Sequence, residues 1–322
     1  MKCAWINNYL VVETDGFTRP CCLETDPIAQ ISPISSGIVK SFNHRKLKKL
    51  EFDLEQGYSE KTEPYCRRCR FLEEKNQPSM RTSQPFITEQ RELKVLQFKL
   101  SNKCQLACAH CNPSLSSTWA NLLGVSPKVQ HALELTDEFV EELKQVVPTL
   151  DELKFTGGEP FLDHNHWKIL EHLQDVDKSN CKLSYITNGL IKPKRELWEG
   201  WKEIDIDISV DGHKDTYEWF RRNANWQQLV DNVRELEKYA NIRIAYSMTP
   251  FTVDSLQDAK EFWPYEINET PIVYPTHANL NKFPDNIDIC REFALDWDKK
   301  WNTPGWANKL YDWIGPEIEN NS

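Results

Sequence analysis

Three closely spaced cysteines are the part of the sequence best suited to chemistry. Cys104, Cys108 and Cys111 follow one another as C-x3-C-x2-C in the stretch KLSNKCQLACAHCNP. Such thiols can be packing residues, zinc ligands or ligands of a reactive cofactor. Four thiolates close a zinc site or fully bind a [4Fe–4S] cluster, whereas three leave one metal position open, which is a catalytic feature. His110 is a weaker candidate ligand, because a side chain directly before Cys111 more naturally points elsewhere.

A second group of cysteines lies near the amino terminus. Cys3 and Cys21 are spaced as C-x12-G-x4-C, and Cys66 and Cys69 form a C-x2-C pair. We expect a hairpin with its turn at Asp15-Gly16 to bring the first pair together, and a tight turn to hold the second pair. Four thiolates would make a closed site for zinc or a [4Fe–4S] cluster.

Three further cysteines fall outside these groups. Cys22 either replaces Cys21 as a ligand or is buried, because neighbouring cysteines rarely serve one ion together. Cys181 and Cys290 are expected to be packing residues, since a free cysteine behaves as a small apolar side chain.

Composition limits the class of protein. The 322 residues are 39% hydrophobic and 27% charged, with ten cysteines and a net charge of −10. No apolar run reaches the roughly 18–20 residues that span a bilayer, and the first residues lack a signal-peptide pattern, so we expect a cytoplasmic protein without membrane contact. Cytoplasmic thiols stay reduced, which favours metal ligation over disulfides. The acidic balance argues against nucleic-acid binding, and the basic stretch SFNHRKLKKL reads as an amphipathic surface helix.

The elements that must position the cysteines alternate between strands and helices from about residue 94. The predicted strands are KVLQFKL, ELKFT, KLSYIT, IDIDISV, IRIAYSM and a closing PIVYPT. Helical patterns lie between them, including PKRELWEGW and DEFVEELKQVV, which Thr136 can cap. Such alternation predicts an α/β fold with a parallel sheet whose site lies at the carboxyl ends of the strands.

Three domains are expected. Residues 1–90 form a small, cysteine-rich α+β module with a helix from Ser41 to about Gly57, residues 91–277 the core, and residues 278–322 a helical, tryptophan-rich extension.

Short polar or glycine-rich motifs follow the first four predicted strands. The three cysteines follow the first strand, and TGGEP, TNG and SVDG follow the second, third and fourth. Each motif alone is an ordinary turn. Because the carboxyl ends of parallel strands meet at one edge, the four together predict a single site.

These motifs resemble those of the radical S-adenosylmethionine (SAM) superfamily. CQLACAHC is similar to the family's cysteine signature and GGEP to its second motif. SVDG and YEWFRRNANW resemble a segment of members with auxiliary clusters. The resemblance covers about residues 94–277 and implies a partial (βα)6 barrel. It also implies that Cys104, Cys108 and Cys111 ligate three irons of a [4Fe–4S] cluster, with SAM on the fourth.

The resemblance further implies which side chains contact SAM. The backbone of the glycines in GGEP approaches the SAM amino group, the residues of SVDG meet the ribose or the methionine end, and an arginine pairs with the carboxylate. His110 occupies a position near the adenine where the family often has an aromatic residue. The implied SAM contacts are His110, Gly157, Gly158, Glu159, Asn188, Ser209, Asp211 and Arg221.

The amino-terminal cysteines resemble those of the twitch and SPASM auxiliary-cluster modules of the same superfamily. Here the module precedes the core instead of following it. The resemblance implies a second [4Fe–4S] cluster bound by Cys3, Cys21, Cys66 and Cys69.

The implied activity is reductive cleavage of SAM to a 5′-deoxyadenosyl radical that abstracts hydrogen from an unidentified substrate. A peptide or protein side chain is the first candidate substrate, and a small metabolite or sugar precursor is the alternative. An electron donor such as flavodoxin or ferredoxin would be a partner. A hypothesis of a different class is a non-catalytic metal-binding scaffold that binds a protein partner.

Overall fold

The structure, a computed structural model, describes residues 1–22, 27–76, 78–83, 90–125, 133–249 and 251–272. They form a mixed α/β fold with mostly parallel strands. The chain divides into two compact units. The first unit consists of Met1–Ser101, Gln130–Tyr185 and Lys194–Ile204, and the second of Asn102–Val129, Ile186–Pro193 and Asp205–Ser322. The extension predicted for residues 278–322, with Cys290, lies outside the described residues.

The elements of the described residues follow one another as helices and short strands. The helices are α1 Ala4–Asn8, α2 Ile38–Phe42, α3 Arg45–Glu55, α4 Glu63–Glu73, α5 Met80–Ser83, α6 Ser117–Leu122, α7 Asp137–Val146, α8 His164–His172, α9 Asp215–Phe220, α10 Trp226–Leu236 and α11 Leu256–Phe262. The strands are β1 Tyr9–Val12, β2 Thr18–Arg19, β3 Val95–Lys99, β4 Ala107–Cys108, β5 Glu152–Thr156, β6 Lys182–Thr187, β7 Ile204–Ser209, β8 Arg221–Arg222, β9 Asn241–Met248 and β10 Ile267–Pro271. Short 3₁₀ helices lie at Pro27–Ala29, Ile34–Ser36, Val147–Thr149, Pro160–Leu162, Arg195–Trp198 and Val253–Ser255.

The first unit is built on strands in the order β2-β1-β3-β5-β6. All neighbouring pairs are parallel except β1 with β2. The register places Phe98 opposite Phe155, and Phe155 opposite Tyr185. These three rings are buried, and each neighbouring pair stacks with centroids 5.9 Å apart. The register is therefore fixed by apolar burial, because a slip by one residue would turn the whole row to the other face.

The amino-terminal segment contributes a strand to this sheet. β1 pairs in parallel with β3, with Tyr9 opposite Val95. The turn expected at Asp15-Gly16 is present, and Gly16 has a φ of 78° there. The hairpin is shorter than expected, because Trp5 to Asn8 belong to α1. The boundary expected near residue 90 therefore does not separate two sheets.

Most core elements lie where the sequence predicts them, and four predicted elements differ. Thr136 caps α7 as expected, accepting from the backbone N–H of Phe139 at 3.3 Å.

The single helix expected from Ser41 is divided into two helices, α2 and α3. His44 interrupts it and caps α3, because its side chain accepts from the backbone N–H of Lys46 at 3.3 Å. Cys66 and Cys69 lie within α4 and not on a tight turn. PKRELWEGW forms only a 3₁₀ helix, and the closing strand is β10, which ends where PIVYPT begins.

The second unit contains the parallel strands β7-β9-β10 and a small antiparallel pair, β4 with β8. β7 and β9 are in register, with Ser209 opposite Ala245. The chain turns sharply after β7 at Gly212, which has a φ of 109°. A Cβ there would lie 2.7 Å from Thr216 Cγ2 and 2.8 Å from the backbone nitrogen of Tyr217. The turn therefore requires glycine both for its backbone conformation and for space.

We predict that Gly212→Ala lowers the free energy of unfolding by more than Gly57→Ala does. Gly57 has nearly the same φ, 112°, but no atom lies within 4 Å of its Cβ position. The difference between the variants isolates the clash, which should cost about 1–3 kcal/mol. Denaturant unfolding followed by circular dichroism measures both. Equal losses would show that the close packing at Gly212 adds nothing beyond its backbone conformation.

Candidate functional site

The three-cysteine motif lies on the loop that leads from β3 to α6. Cys108 ends the short strand β4, which pairs with β8 so that Cys108 lies opposite Arg221. The backbone N–H of Ala109 donates to Phe220 O at 2.9 Å, and Trp119 Nε1 donates to Cys108 O at 2.9 Å. The loop is thus fixed by backbone pairing on one side and by a buried indole on the other.

Burial dominates the electrostatics of two of these thiols. It raises the pKa of Cys108 to about 11, and burial followed by the neighbouring charge of Cys108 raises the pKa of Cys111 to about 12. A metal that binds thiolates would have to displace both protons. In the part of the chain that the structure describes, no three Cys, His, Asp or Glu side chains form a ready-made metal site.

The third thiol, Cys104, lies beside a pair of side-chain amides. Asn188 and Gln105 exchange two hydrogen bonds, at 3.1 and 3.2 Å. The N–H of Leu190 donates to the same Asn188 oxygen at 3.0 Å, and Asn188 Nδ2 lies 4.0 Å from Cys104 Sγ. The predicted residue Asn188 is thus brought to the cysteine loop. Gln105 was missed, and its position directly after Cys104 is the one sequence signal for it.

Asp211 and Arg221, both predicted SAM contacts, are paired with each other. Arg221 Nη2 lies 2.6 Å from Asp211 Oδ2, with side chains that are 8% and 0% exposed. The other carboxylate oxygen accepts from the backbone N–H of Ser247 at 2.8 Å. Arg221 Nη1 donates toward Cys108 Sγ at 3.9 Å. The pair thus connects the end of β7 to β9, to β8 and to the cysteine loop.

The remaining predicted residues of this unit lie at the same loop and strand end. The His110 ring stacks on Phe220 with centroids 5.1 Å apart and an angle of 9° between the planes. Its Nδ1 lies 3.8 Å from Asp211 Oδ2. Ser209 is half-buried at the end of β7.

The GGEP motif lies in the first unit, at the end of β5. Gly157 has a φ of 113°, and a Cβ there would lie 3.1 Å from Ser101 O and 3.2 Å from Lys99 Cα. The N–H of Gly158 donates to the same Ser101 carbonyl at 3.0 Å. Glu159 is buried and accepts from the N–H of Phe161 at 3.1 Å. The glycines allow the end of β5 to pack on the backbone that follows β3, and Glu159 caps the next 3₁₀ helix.

The four amino-terminal cysteines line one cavity in the first unit. Cys3, Cys21, Cys66 and Cys69 surround it together with apolar side chains and Arg81. Cys66 and Cys69 are three residues apart on α4, a spacing that places both on one helix face. Burial raises the pKa of Cys3, and the charge of Cys69 acts in the same direction.

Cys22 does not line this cavity. It packs against the buried residues Trp5, Tyr9, Val11 and Val95, and burial raises the pKa of its thiol. Cys181 is buried at the start of β6, and burial raises its pKa to about 12.

The fold and this loop define an α/β protein with a three-cysteine motif after a parallel strand. A sequence profile of the radical SAM superfamily matches residues 98–262, just over half of the chain. The chain therefore belongs to the radical SAM superfamily. The family implies a [4Fe–4S] cluster and SAM.

Within the described part of the chain, no helix is both long enough and apolar enough to span a bilayer.

The chain is similar to two curated proteins over about half of its length. It is 25% identical over 167 residues to the radical SAM cyclopropyl synthase TigE of Paramaledivibacter caminithermalis, covering 48% of this chain and 35% of that protein. It is 26% identical over 160 residues to the putative peptide biosynthesis protein YydG of Bacillus subtilis, covering 48% and 46%. The matches thus span less than half of either relative. Among solved structures, Streptococcus suis SuiB bound to S-adenosylmethionine has 15% identity and a TM-score of 0.40, covering 85% of this chain and 62% of that one.

We predict that Trp119→Phe destabilises the protein more than Trp201→Phe does. Trp119 Nε1 donates to Cys108 O, whereas Trp201 Nε1 is buried without a hydrogen-bond partner among the described residues. Cys108 O also accepts from the N–H of Cys111 at 3.0 Å, so Trp119→Phe removes one of its two hydrogen bonds, which should cost about 0.5–1.5 kcal/mol. The free energies of unfolding in urea measure the difference. Equal losses would show that the indole does not hold the loop through this bond.

Proposed function

We propose that the chain is a radical SAM enzyme that binds a [4Fe–4S] cluster through Cys104, Cys108 and Cys111. The observation that carries the proposal is that these thiols, at the family's spacing, lie on one loop inside the matched segment. Soft thiolates are the donors that such clusters take, and three of them leave one iron open for SAM.

The bound cluster would supply an electron that cleaves SAM to methionine and a 5′-deoxyadenosyl radical, which takes a hydrogen atom from the substrate. The chain itself would bind, orient and exclude water. Cys108 is 7% exposed, so its side of the loop is shielded from solvent. The Asn188–Gln105 pair would orient Cys104. Contacts of SAM with His110 and Ser209, and with the GGEP residues of the first unit, stay predictions from the sequence.

We predict that replacing Cys104, Cys108 and Cys111 together by alanine removes about four irons per chain and abolishes 5′-deoxyadenosine formation. Cys181→Ala is the matched control, because it removes a buried thiol that lies outside both groups. Iron analysis after anaerobic reconstitution, followed by dithionite and SAM, measures both quantities. Unchanged iron in the triple variant would refute the ligand assignment. Wild-type protein that binds iron but never cleaves SAM would favour the non-catalytic scaffold.

We further propose that Cys3, Cys21, Cys66 and Cys69 bind a second [4Fe–4S] cluster, as in a twitch or SPASM-like module. The support is that all four thiols line one cavity and that two of them share a face of α4. Four thiolates close the coordination of a cluster. Arg81 lines the same cavity and is paired with Glu73.

We predict that the double variant Cys66→Ala/Cys69→Ala loses about four irons per chain, because two of four ligands cannot hold the cluster. The electron paramagnetic resonance (EPR) signal that SAM perturbs should persist, since it belongs to the other cluster. Cys22→Ala is the control and should keep its iron. Equal loss in Cys22→Ala would assign that thiol as a ligand, and zinc in place of iron would contradict a redox cluster.

We propose a peptide or protein side chain as the substrate class. The support is the similarity to YydG, whose name assigns it to peptide biosynthesis. A one-electron donor such as flavodoxin or ferredoxin would reduce the cluster. A small metabolite is the competing substrate class.

A further inference from the structure

The ion pair of Asp211 and Arg221 places a buried positive charge beside one cysteine of the loop. Arg221 uses different nitrogens for its two contacts, Nη2 toward Asp211 Oδ2 at 2.6 Å and Nη1 toward Cys108 Sγ at 3.9 Å. Both contacts are therefore made at once. A guanidinium suits this double role, because its donors are arranged in a rigid, planar fork.

The position of the guanidinium is fixed from three sides. The backbone of Arg221 lies opposite Cys108 in the β4–β8 pair. Asp211 is held at the end of β7 by the N–H of Ser247, at 2.8 Å. The side chain of Arg221 is 8% exposed and that of Asp211 is fully buried. Such a pair does not reorient freely, since either charge left alone in the interior would be costly.

The thiolate form of Cys108 would face this charge directly. Hydrogen bonds to a cluster's sulfur ligands and nearby positive charge both stabilise the reduced, more negative state of the cluster. The guanidinium carries five N–H groups, so these two contacts leave donors for the carboxylate of SAM as well. The contact with Cys108 is made without SAM, so an action on the cluster does not require the carboxylate contact.

We propose that Arg221 is a positioning residue for the cluster, which donates to the Cys108 thiolate and raises the reduction potential of the cluster, with Asp211 holding the guanidinium in place. This inference rests on the proposed ligation by Cys104, Cys108 and Cys111. It assigns Arg221 a role that does not depend on bound SAM.

The test is a redox titration, followed by EPR, of the cluster whose signal SAM perturbs. It is carried out without SAM on the reconstituted 322-residue chain, for wild type, Arg221→Gln and Arg221→Lys. We expect Arg221→Gln to shift the midpoint potential to a lower value. Arg221→Lys should shift it less, because one ammonium keeps the charge but cannot make both contacts. Arg221→Lys also keeps a partner for Asp211, so it supplies the measurement if Arg221→Gln does not fold.

Arg243→Gln is the matched control. Arg243 pairs with Asp205 and Asp207 in the same unit, at 3.4 and 2.8 Å, and its ion-pair partners in the described part of the chain include no cysteine. The midpoint potential of the cluster in Arg243→Gln should equal that in wild type. An equal shift in Arg243→Gln would assign the effect to overall charge and overturn the inference.

The affinity for SAM distinguishes an effect of Arg221 on the cluster from a contact of Arg221 with the SAM carboxylate. A wild-type potential in both Arg221 variants, together with a raised dissociation constant for SAM in equilibrium dialysis, would overturn this inference and restore the carboxylate contact. Wild-type protein without any SAM-perturbed signal would overturn the proposed ligation, and this inference with it. A lowered potential with unchanged SAM affinity supports the inference.

Discussion

The buried ion pair between Asp211 and Arg221 is the interaction on which the cysteine loop of the second unit depends. Removing one partner of such a pair typically costs about 3–5 kcal/mol, because the other charge is then buried alone. The chain must therefore bring the end of β7 and the strand β8 together whenever the unit folds. Since β8 also pairs with the loop at Cys108, the ion pair sets the place of that thiol as well.

Glu159 of GGEP and Asp211 of SVDG have the same kind of structural role. Glu159 accepts from the N–H of Phe161, and Asp211 accepts from the N–H of Ser247. Each carboxylate thus satisfies a backbone group where a parallel strand ends and the chain turns away. In each motif a neighbouring glycine with positive φ makes that turn, Gly157 in one and Gly212 in the other. In each unit, the motif residues therefore shape the turn that follows a parallel strand.

The sequence predicted the elements with a strong local signal. β5 and β6 begin and end where the apolar, β-branched runs do, and Thr136 caps α7 as its position before DEFVEELKQVV indicates. The pairing of β1 with β3 had no local signal, because parallel pairing between distant segments depends on burial of both faces. The C-x2-C pair was misread for a related reason. Its spacing fits a turn and a helix equally well, and the flanking residues decide for α4.

For the candidate site, the sequence did not indicate how the residues are paired. Asn188, Asp211 and Arg221 lie at the cysteine loop, whereas their contacts with SAM stay predictions. That Arg221 faces both Asp211 and Cys108 follows from the antiparallel register of β8, a tertiary feature that no motif encodes. Gln105 was not predicted for the same reason, since its partner Asn188 lies on a distant segment.

The two cysteine groups differ in what holds them, and this difference bears on what a metal could do at each. Cys3 and Cys66 come from distant segments and pack against one apolar cluster of α1 and α3 residues, which includes Ile6 and Leu50. A metal joining such segments closes long loops, so its binding energy would stabilise the fold. The cysteines of the β3–α6 loop are neighbours in sequence and are held by hydrogen bonds to β8 and Trp119. A metal there would close little chain, so its binding would add less to the stability of the fold.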